Sequence, residues 1–293
     1  MRAKKKKGGG SVMFTIMLVV LLLYTVSLIV PFIWAFITTF KTKLDFRNNV
    51  FGLPKTWAFE NYTIALEGLN VPILTGKGGN ANFVEMLLNS LVYAIGCTLV
   101  NVFTLCTMAY CAAKYNFKFN KIIYGIVIVT MIIPIVGSLA SEIQIAEALG
   151  LRDSFLGVFF MKMSFLGTNF MIFYAMFKTM SWGYAEAAFI DGAGHFRLYF
   201  QIMLPLALPT ILIVCVLAFI SYWNDFGTPM IYLPSHPVAA YGLYYFQQNT
   251  ENAVATVPRK LAGCFILCIP IFIIFMLAKD KMIGNLTVGG LKG

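Results

Sequence analysis

Residues 186–209 read "EAAFIDGAGHFRLYFQIMLPLALP". A glutamate, an aspartate, a glycine pair and an arginine interrupt a chain that is apolar for long stretches on either side. Residues 184–191, "YAEAAFID", suit a short helix, because alanine is the best helix former. Gly192 follows, and glycine takes the left-handed conformation that ends a helix at little cost. Gly194 adds further freedom. Residues 195–203, "HFRLYFQIM", then suit a second short helix, with Phe196, Tyr199, Phe200 and Met203 on one apolar stripe. Pro205 falls where the next helix begins, and its missing N–H costs nothing in a first turn. The expectation is a compact knob of helix, bend and helix, anchored at both ends by apolar segments. The competing reading is an amphipathic connector lying on a lipid surface. Such a helix carries Lys and Arg along its polar face, and this stretch offers only Arg197. The small residues at 185, 187, 188, 192 and 193 instead permit close approach of another protein backbone.

The surrounding chain sets the class. Of 293 residues, 59% are hydrophobic and 12% charged, with a mean hydropathy of +0.80. A soluble domain averages about 25% charged residues, so this chain has too few to cover a surface facing water. The net charge of +10 does not form a basic stripe interleaved with aromatics, which argues against nucleic acid as a partner. The basic residues lie at the edges of apolar runs, where they set membrane topology.

A helix needs about 20 apolar residues to cross about 30 Å of hydrocarbon. Six segments meet that length, at about 12–39, 86–112, 121–140, 155–178, 205–224 and 260–278. The fold expected is an all-α integral membrane protein with six transmembrane helices, the knob lying between spans four and five. The organisation expected is a basic N-terminus at 1–11, a six-span domain at 12–278 holding the loop 184–209, and a tail at 279–293. Pro31, Pro134 and Pro270 fall inside spans, where neighbouring helices can satisfy the freed carbonyls. The first apolar run is far longer than that of a signal peptide and is expected to stay as an anchor.

With the N-terminus inside, the inner segments carry 13 basic residues and the outer segments 8. Both termini are therefore expected in the cytoplasm, with the knob on that side. The long outer loops, 41–82 and 225–258, are rich in aromatics, Pro and Gly and read as partly ordered caps.

Motifs for other functions fail residue by residue. "TGKGG" at 75–79 lacks the spaced glycine of a phosphate loop, having Val71 there, and has Gly78 in place of Ser or Thr. No nucleotide site is expected in the chain. The two histidines and 12 acidic residues are scattered, which argues against catalysis. The six cysteines lie in or beside apolar runs and read as small hydrophobes, with no metal site expected. No relay of Asp, Glu or His crosses the membrane, as an ion-coupled carrier would require. Lys162, about two turns into the fourth span, is expected to snorkel outward along its stem, with a cavity lining as the alternative. Asn89, Asn101 and Asn169 lie at membrane depth and suit helix–helix hydrogen bonds, or contact with a polar ligand.

"EAAFIDGAG" followed by "IMLPLALP" resembles the loop of permease subunits in binding-protein-dependent ABC importers. Glu186, Ala187, Ala188, Asp191, Gly192, Ala193, Ile202, Leu204, Pro205, Leu206 and Pro209 carry that resemblance at fixed spacing. "LPKTWAFENY" at 53–62, "YWNDFGTPMIYL" at 222–233 and the ending "MIGNLTVGGLKG" are similar to the carbohydrate-uptake, maltose-type branch. One departure stands out. The family usually has a Pro and a further Glu-Leu just before the E-A-A, and here "TMSWGYAEAA" places Trp182 and Gly183 there.

The resemblance implies that the loop is a coupling helix docking in a cleft of a cytoplasmic ATPase subunit. ATP and Mg then belong to two partner ATPases, so this chain has no cofactor of its own. The other implied partners are a second, non-identical permease subunit, an extracellular solute-binding protein and the lipid bilayer. By this likeness Glu186 and Asp191 offer charges to the ATPase. Gly192 sets the bend, Ala187 and Ala188 permit close packing, and Pro205 joins the knob to span five. Trp223 and Asn224, an aromatic and an amide near the outer mouth, are candidates for the substrate pathway, together with Asn89 and Asn101. The implied function is the permease subunit of a bacterial cell-membrane importer for a sugar or oligosaccharide. The alternatives are another solute, such as a polyol, glycerol phosphate or modified sugar, or a secondary carrier.

Overall fold

The computed structural model describes residues 9–73, 78–133, 137–248 and 256–286. The basic start, most of the "TGKGG" stretch, Pro134 and the end of the tail lie outside the described residues. The described residues divide into two compact units: the chain up to Leu69 with Phe246–Ile266, and Asn70–Tyr245 with the chain from Leu267 onward.

The first unit opens with α1 (Gly9–Thr38), followed by α2 (Lys43–Asn48) and α3 (Glu60–Gly68). Thr42 caps α2 by accepting the Asp45 N–H at 3.1 Å. The aromatic loop between α2 and α3 is tied down by side chains. The Asn61 amide donates to the carbonyls of Thr39 and Lys41 at 2.7 and 2.8 Å and accepts from Arg259 at 3.3 Å. Phe40 packs against Trp57, Phe59 and Tyr62. Lys41 is buried, and its ammonium donates to the carbonyls of Asn49 and Val50.

The second unit begins with a short antiparallel pair, β1 (Val71–Pro72) and β2 (Asn80–Ala81), with Val71 opposite Ala81. It continues through α4 (Phe83–Lys114), α5 (Asn120–Ile132), α6 (Leu139–Ala148), α7 (Phe155–Met161) and α8 (Thr168–Thr179). Then come α9 (Gly183–Ile190), α10 (His195–Leu198), a π-helical turn at Tyr199–Met203 and α11 (Leu204–Trp223). After α12 (Gly227–Tyr232) the chain forms α13 (Ala239–Gln248) and α14 (Val257–Leu286).

Helix α4 is the spine. The Asn82 side chain caps it by accepting the Glu85 N–H at 2.9 Å, and Lys114 ends it with a cation at the negative pole of the helix dipole. One face carries the buried Val102, Leu105, Cys106 and Ala109, against which Phe170, Phe173 and Phe177 of α8 and Met203, Ala207 and Val214 of the π turn and α11 pack. The other face exposes Leu88, Val92, Ile95, Leu99 and Phe103 in a stripe of helical period. An exposed apolar stripe of this length is what a bilayer, rather than water, solvates.

Among the described residues four helices are long and apolar enough to cross a membrane: Met13–Thr38, Phe83–Lys114, His195–Trp223 and Val257–Leu277. The other two expected spans are shorter helices. The run at 121–140 is helical only to Ile132, because Ile133 precedes a proline and takes an extended ψ of 114°. The run at 155–178 is two helices with irregular backbone at Lys162–Gly167, where Gly167 has φ +111°.

Candidate functional site

The loop between α8 and α11 folds into a two-part knob against the C-terminal end of α4. Its first part, α9, is closed by a Schellman motif. Gly192 N–H donates to the Phe189 carbonyl at 3.0 Å, and Ala193 N–H reaches back to the Ala188 carbonyl at 2.9 Å. Gly192 has φ +77°, the left-handed conformation that this closure requires. Gly194 needs no such freedom, since its φ of −81° and ψ of 171° are open to any residue.

The second part departs from the expectation of a separate short helix at 195–203 with a new helix beginning at Pro205. Helix α10 runs through the π turn directly into α11, so that His195–Trp223 is one continuous helix. The π turn is what accommodates Pro205 within that helix. A proline inside a helix clashes with the carbonyl four residues back and offers no N–H to it. The turn before it is widened, with Leu204 N–H donating to the Tyr199 carbonyl five residues back. The widening splits the expected apolar stripe. Tyr199 and Met203 are buried, whereas Phe196 and Phe200 are exposed.

An aromatic collar fixes the knob on the helices beneath it. The Tyr115 hydroxyl lies 2.9 Å from His195 Nδ1. The Tyr115 ring meets Trp182 and His195, and Phe189 meets both of those in turn. Tyr110 packs on Tyr115, Phe177 and Tyr199. The Lys114 ammonium donates to the Met180 carbonyl at the end of α8. Trp182, which stands where the family pattern differs, is thus a collar residue. Tyr115 and His195 gave no motif; only their placement in the fold joins them.

The loop residues separate into two groups. Glu186, Ala187, Asp191 and Gly192 are exposed on the knob, flanked by Ile190 at 86% and Phe196 at 82% exposure. Two apolar side chains so exposed, beside two carboxylates, make a tip suited to docking rather than to chemistry. Ala188 instead turns inward and is buried, with Ala193 packed against the same core. Ile202 and Leu204 also pack partly against that core, with Pro205 exposed and Pro209 inside α11.

The four candidates for a substrate pathway are not brought together. Asn89 donates to the Pro237 carbonyl at 3.0 Å and Asn101 to the Lys162 carbonyl at 3.1 Å. Trp223 is buried against Ala94 and stacked on Phe219. Asn224 is exposed, and its amide donates to the Ile220 carbonyl of its own helix at 2.8 Å. The Lys162 side chain reaches the start of α12. Its ammonium donates to Thr228 Oγ1 at 3.2 Å and lies 5.7 Å from the centre of the Tyr222 ring.

Residues 106–280 match the family described as binding-protein-dependent transport system inner membrane component. The chain belongs to this family. The match takes in the knob, its collar and α11, and it makes the chain a transport component of an inner membrane rather than an enzyme. Other relatives span nearly the whole length of this inner membrane component. It is 24% identical to the diacetylchitobiose uptake system permease protein NgcG of Streptomyces coelicolor, over 92% of this chain and 85% of that one. It is 29% identical to the probable starch degradation products transport system permease protein AmyC of Thermoanaerobacterium thermosulfurigenes, over 89% of this chain and 91% of that one. In fold it resembles a chain of a bacterial ABC transporter involved in the import of the acidic polysaccharide alginate. That likeness has a TM-score of 0.74 at 20% identity and covers 94% of this chain and 99% of the other.

Proposed function

We propose that the chain is the permease subunit of an ATP-driven importer, forming part of the path for a sugar or oligosaccharide delivered by an extracellular solute-binding protein. The observation that carries this reading is the knob itself. A Schellman-closed turn between α9 and α10, held by an aromatic collar, presents Ile190, Phe196, Glu186 and Asp191 outward. A rigid apolar tip with carboxylates on it fits a cleft in an ATPase subunit, which would bind the ATP and Mg. The uptake systems named for the relatives, for diacetylchitobiose and starch degradation products, support a sugar as cargo.

In this reading the bilayer is crossed six times, α5 and the α7–α8 pair supplying the two shorter crossings. Both termini and the knob lie in the cytoplasm. Glu186 and Asp191 provide charges at the ATPase surface, and α11 carries knob movement into the membrane. The assembly holds two ATPases and a second, non-identical permease subunit. Affinity purification of the tagged chain from native membranes, with mass spectrometry, tests this. The expected companions are an ATPase with a phosphate loop and another multi-span protein with its own E-A-A loop. A chain that purifies alone in mild detergent and moves solute without ATP contradicts it.

A further inference from the structure

We propose that Lys162, Tyr222 and Thr228 form a binding site for a hydroxyl-rich sugar unit, held in position by Asp225 and Tyr93; this rests on the permease reading above. The site is at the break between α7 and α8, where the apolar run loses its helix. Irregular backbone at membrane depth is tolerated only where it is buried in protein or lines a polar cavity. A lysine there is costly and marks a functional position by default.

The geometry gives each residue a role. The Lys162 ammonium has three donors, and Thr228 Oγ1 takes one at 3.2 Å. Among the described residues no carboxylate lies within 4.0 Å of it, so two donors remain for a ligand. The ammonium also stands over the Tyr222 ring, 5.7 Å from its centre. The Tyr222 ring thus holds the ammonium in place, and the remaining donors suit a sugar, whose hydroxyl oxygens accept hydrogen bonds.

Asp225 does not present itself to a ligand in the same way. One of its oxygens accepts the Tyr93 hydroxyl at 2.8 Å and the other the Thr228 N–H at 3.0 Å. It therefore anchors the start of α12 on α4 and supplies negative charge near the ammonium. Tyr93 is buried, whereas Lys162, Tyr222, Asp225 and Thr228 are half-buried, so the cluster reaches the surface. The Asn101 amide fixes the break by donating to the Lys162 carbonyl. Along α4 the cluster lies about 30 Å from the Lys114 end that carries the knob, at a rise of about 1.5 Å per residue.

The test is uptake by membrane vesicles carrying the whole transporter and its binding protein. The probe is an equimolar mixture of maltotriose, cellotriose, xylotriose, arabinotriose and diacetylchitobiose, read by mass spectrometry. Lys162→Met is expected to raise the apparent KM of the favoured sugar about tenfold, as loss of a charge-assisted hydrogen bond does, and to change the order of preference. Lys162→Arg, which keeps the donors, is expected to restore that order. If Lys162→Met fails to insert, Thr228→Val is expected to change the order by itself. An equal fall in maximal rate for every sugar, with KM and order unchanged, shows a purely structural cluster and overturns the inference. A wild-type transporter that takes up ATP-dependently some other solute but none of these sugars overturns the sugar site and leaves the permease reading standing; one that moves solute without ATP removes that reading.

Discussion

Gly192 combines the left-handed φ of +77° with open space around the position that a Cβ would fill. Room is therefore not what excludes other residues there; backbone strain is. A β-branched residue in that conformation costs about 1–2 kcal/mol, whereas asparagine is the side-chain-bearing residue that adopts it most readily. Gly192→Val is expected to insert normally but lose most ATP-driven uptake, and Gly192→Asn to keep most of it. Uptake by vesicles of matched protein content checks both, and full activity in the valine variant sinks the bend as a requirement. This role was legible in the sequence, because a glycine after an alanine-rich helix has one common use. The role of Lys162 was not. The partners that hold its ammonium, Thr228 and Tyr222, lie more than fifty residues away in the chain. A second glycine acts by space instead. A Cβ on Gly157 would stand 2.0 Å from the Leu151 carbonyl oxygen, which is backbone and cannot swing aside. Gly157→Ala is expected to cost about 1–3 kcal/mol, read as a lower melting temperature of the purified complex. On Gly96 the nearest atom would be the end of the Phe159 ring, which can move, so Gly96→Ala should cost less. Equal losses at the two positions would contradict that ordering.

At the scale of elements, the π turn at Tyr199–Met203 decides how the knob is oriented on α11. Sequence periodicity marks a helix here but not its register, because one extra residue in a turn leaves no compositional trace. For the same reason the pattern put Phe196 and Met203 on one stripe, when the first is exposed and the second buried. Deleting Phe200 should convert the turn to ordinary helix and rotate the knob by about 100° relative to α11. The contact between the hydroxyls of Tyr199 and Thr107, at 2.8 Å, would then be lost. The expected outcome is an inserted protein that no longer retains its ATPase on purification. Retention at the wild-type level would show that the turn carries no orientation. The broken helices α7 and α8 were hidden in the sequence for a related reason. An apolar run of crossing length looks alike whether it is one helix or two, and only Gly167 at φ +111° marks the break.

For the whole molecule, composition was decisive. A chain with 12% charged residues must find a solvent other than water, and the exposed stripe on α4 is where that solvent meets it. The long motif at 186–209 then placed a polar knob among apolar helices, within the residues 106–280 that match the family. What the sequence could not supply is the company of each residue in space. The collar of Tyr115, Trp182, Phe189 and His195 joins α4, α9 and α10 through contacts that no local pattern encodes. The central claim is that the tip of this knob docks on an ATPase, and site-specific photo-crosslinking tests it most directly. A photoreactive residue at Phe196 is expected to yield an adduct with a protein carrying a phosphate loop. The same residue at Leu99, on the lipid-facing stripe, is expected to yield none. An ATPase adduct from Leu99 and not from Phe196, or none from either in a transporter active for uptake, would contradict the account.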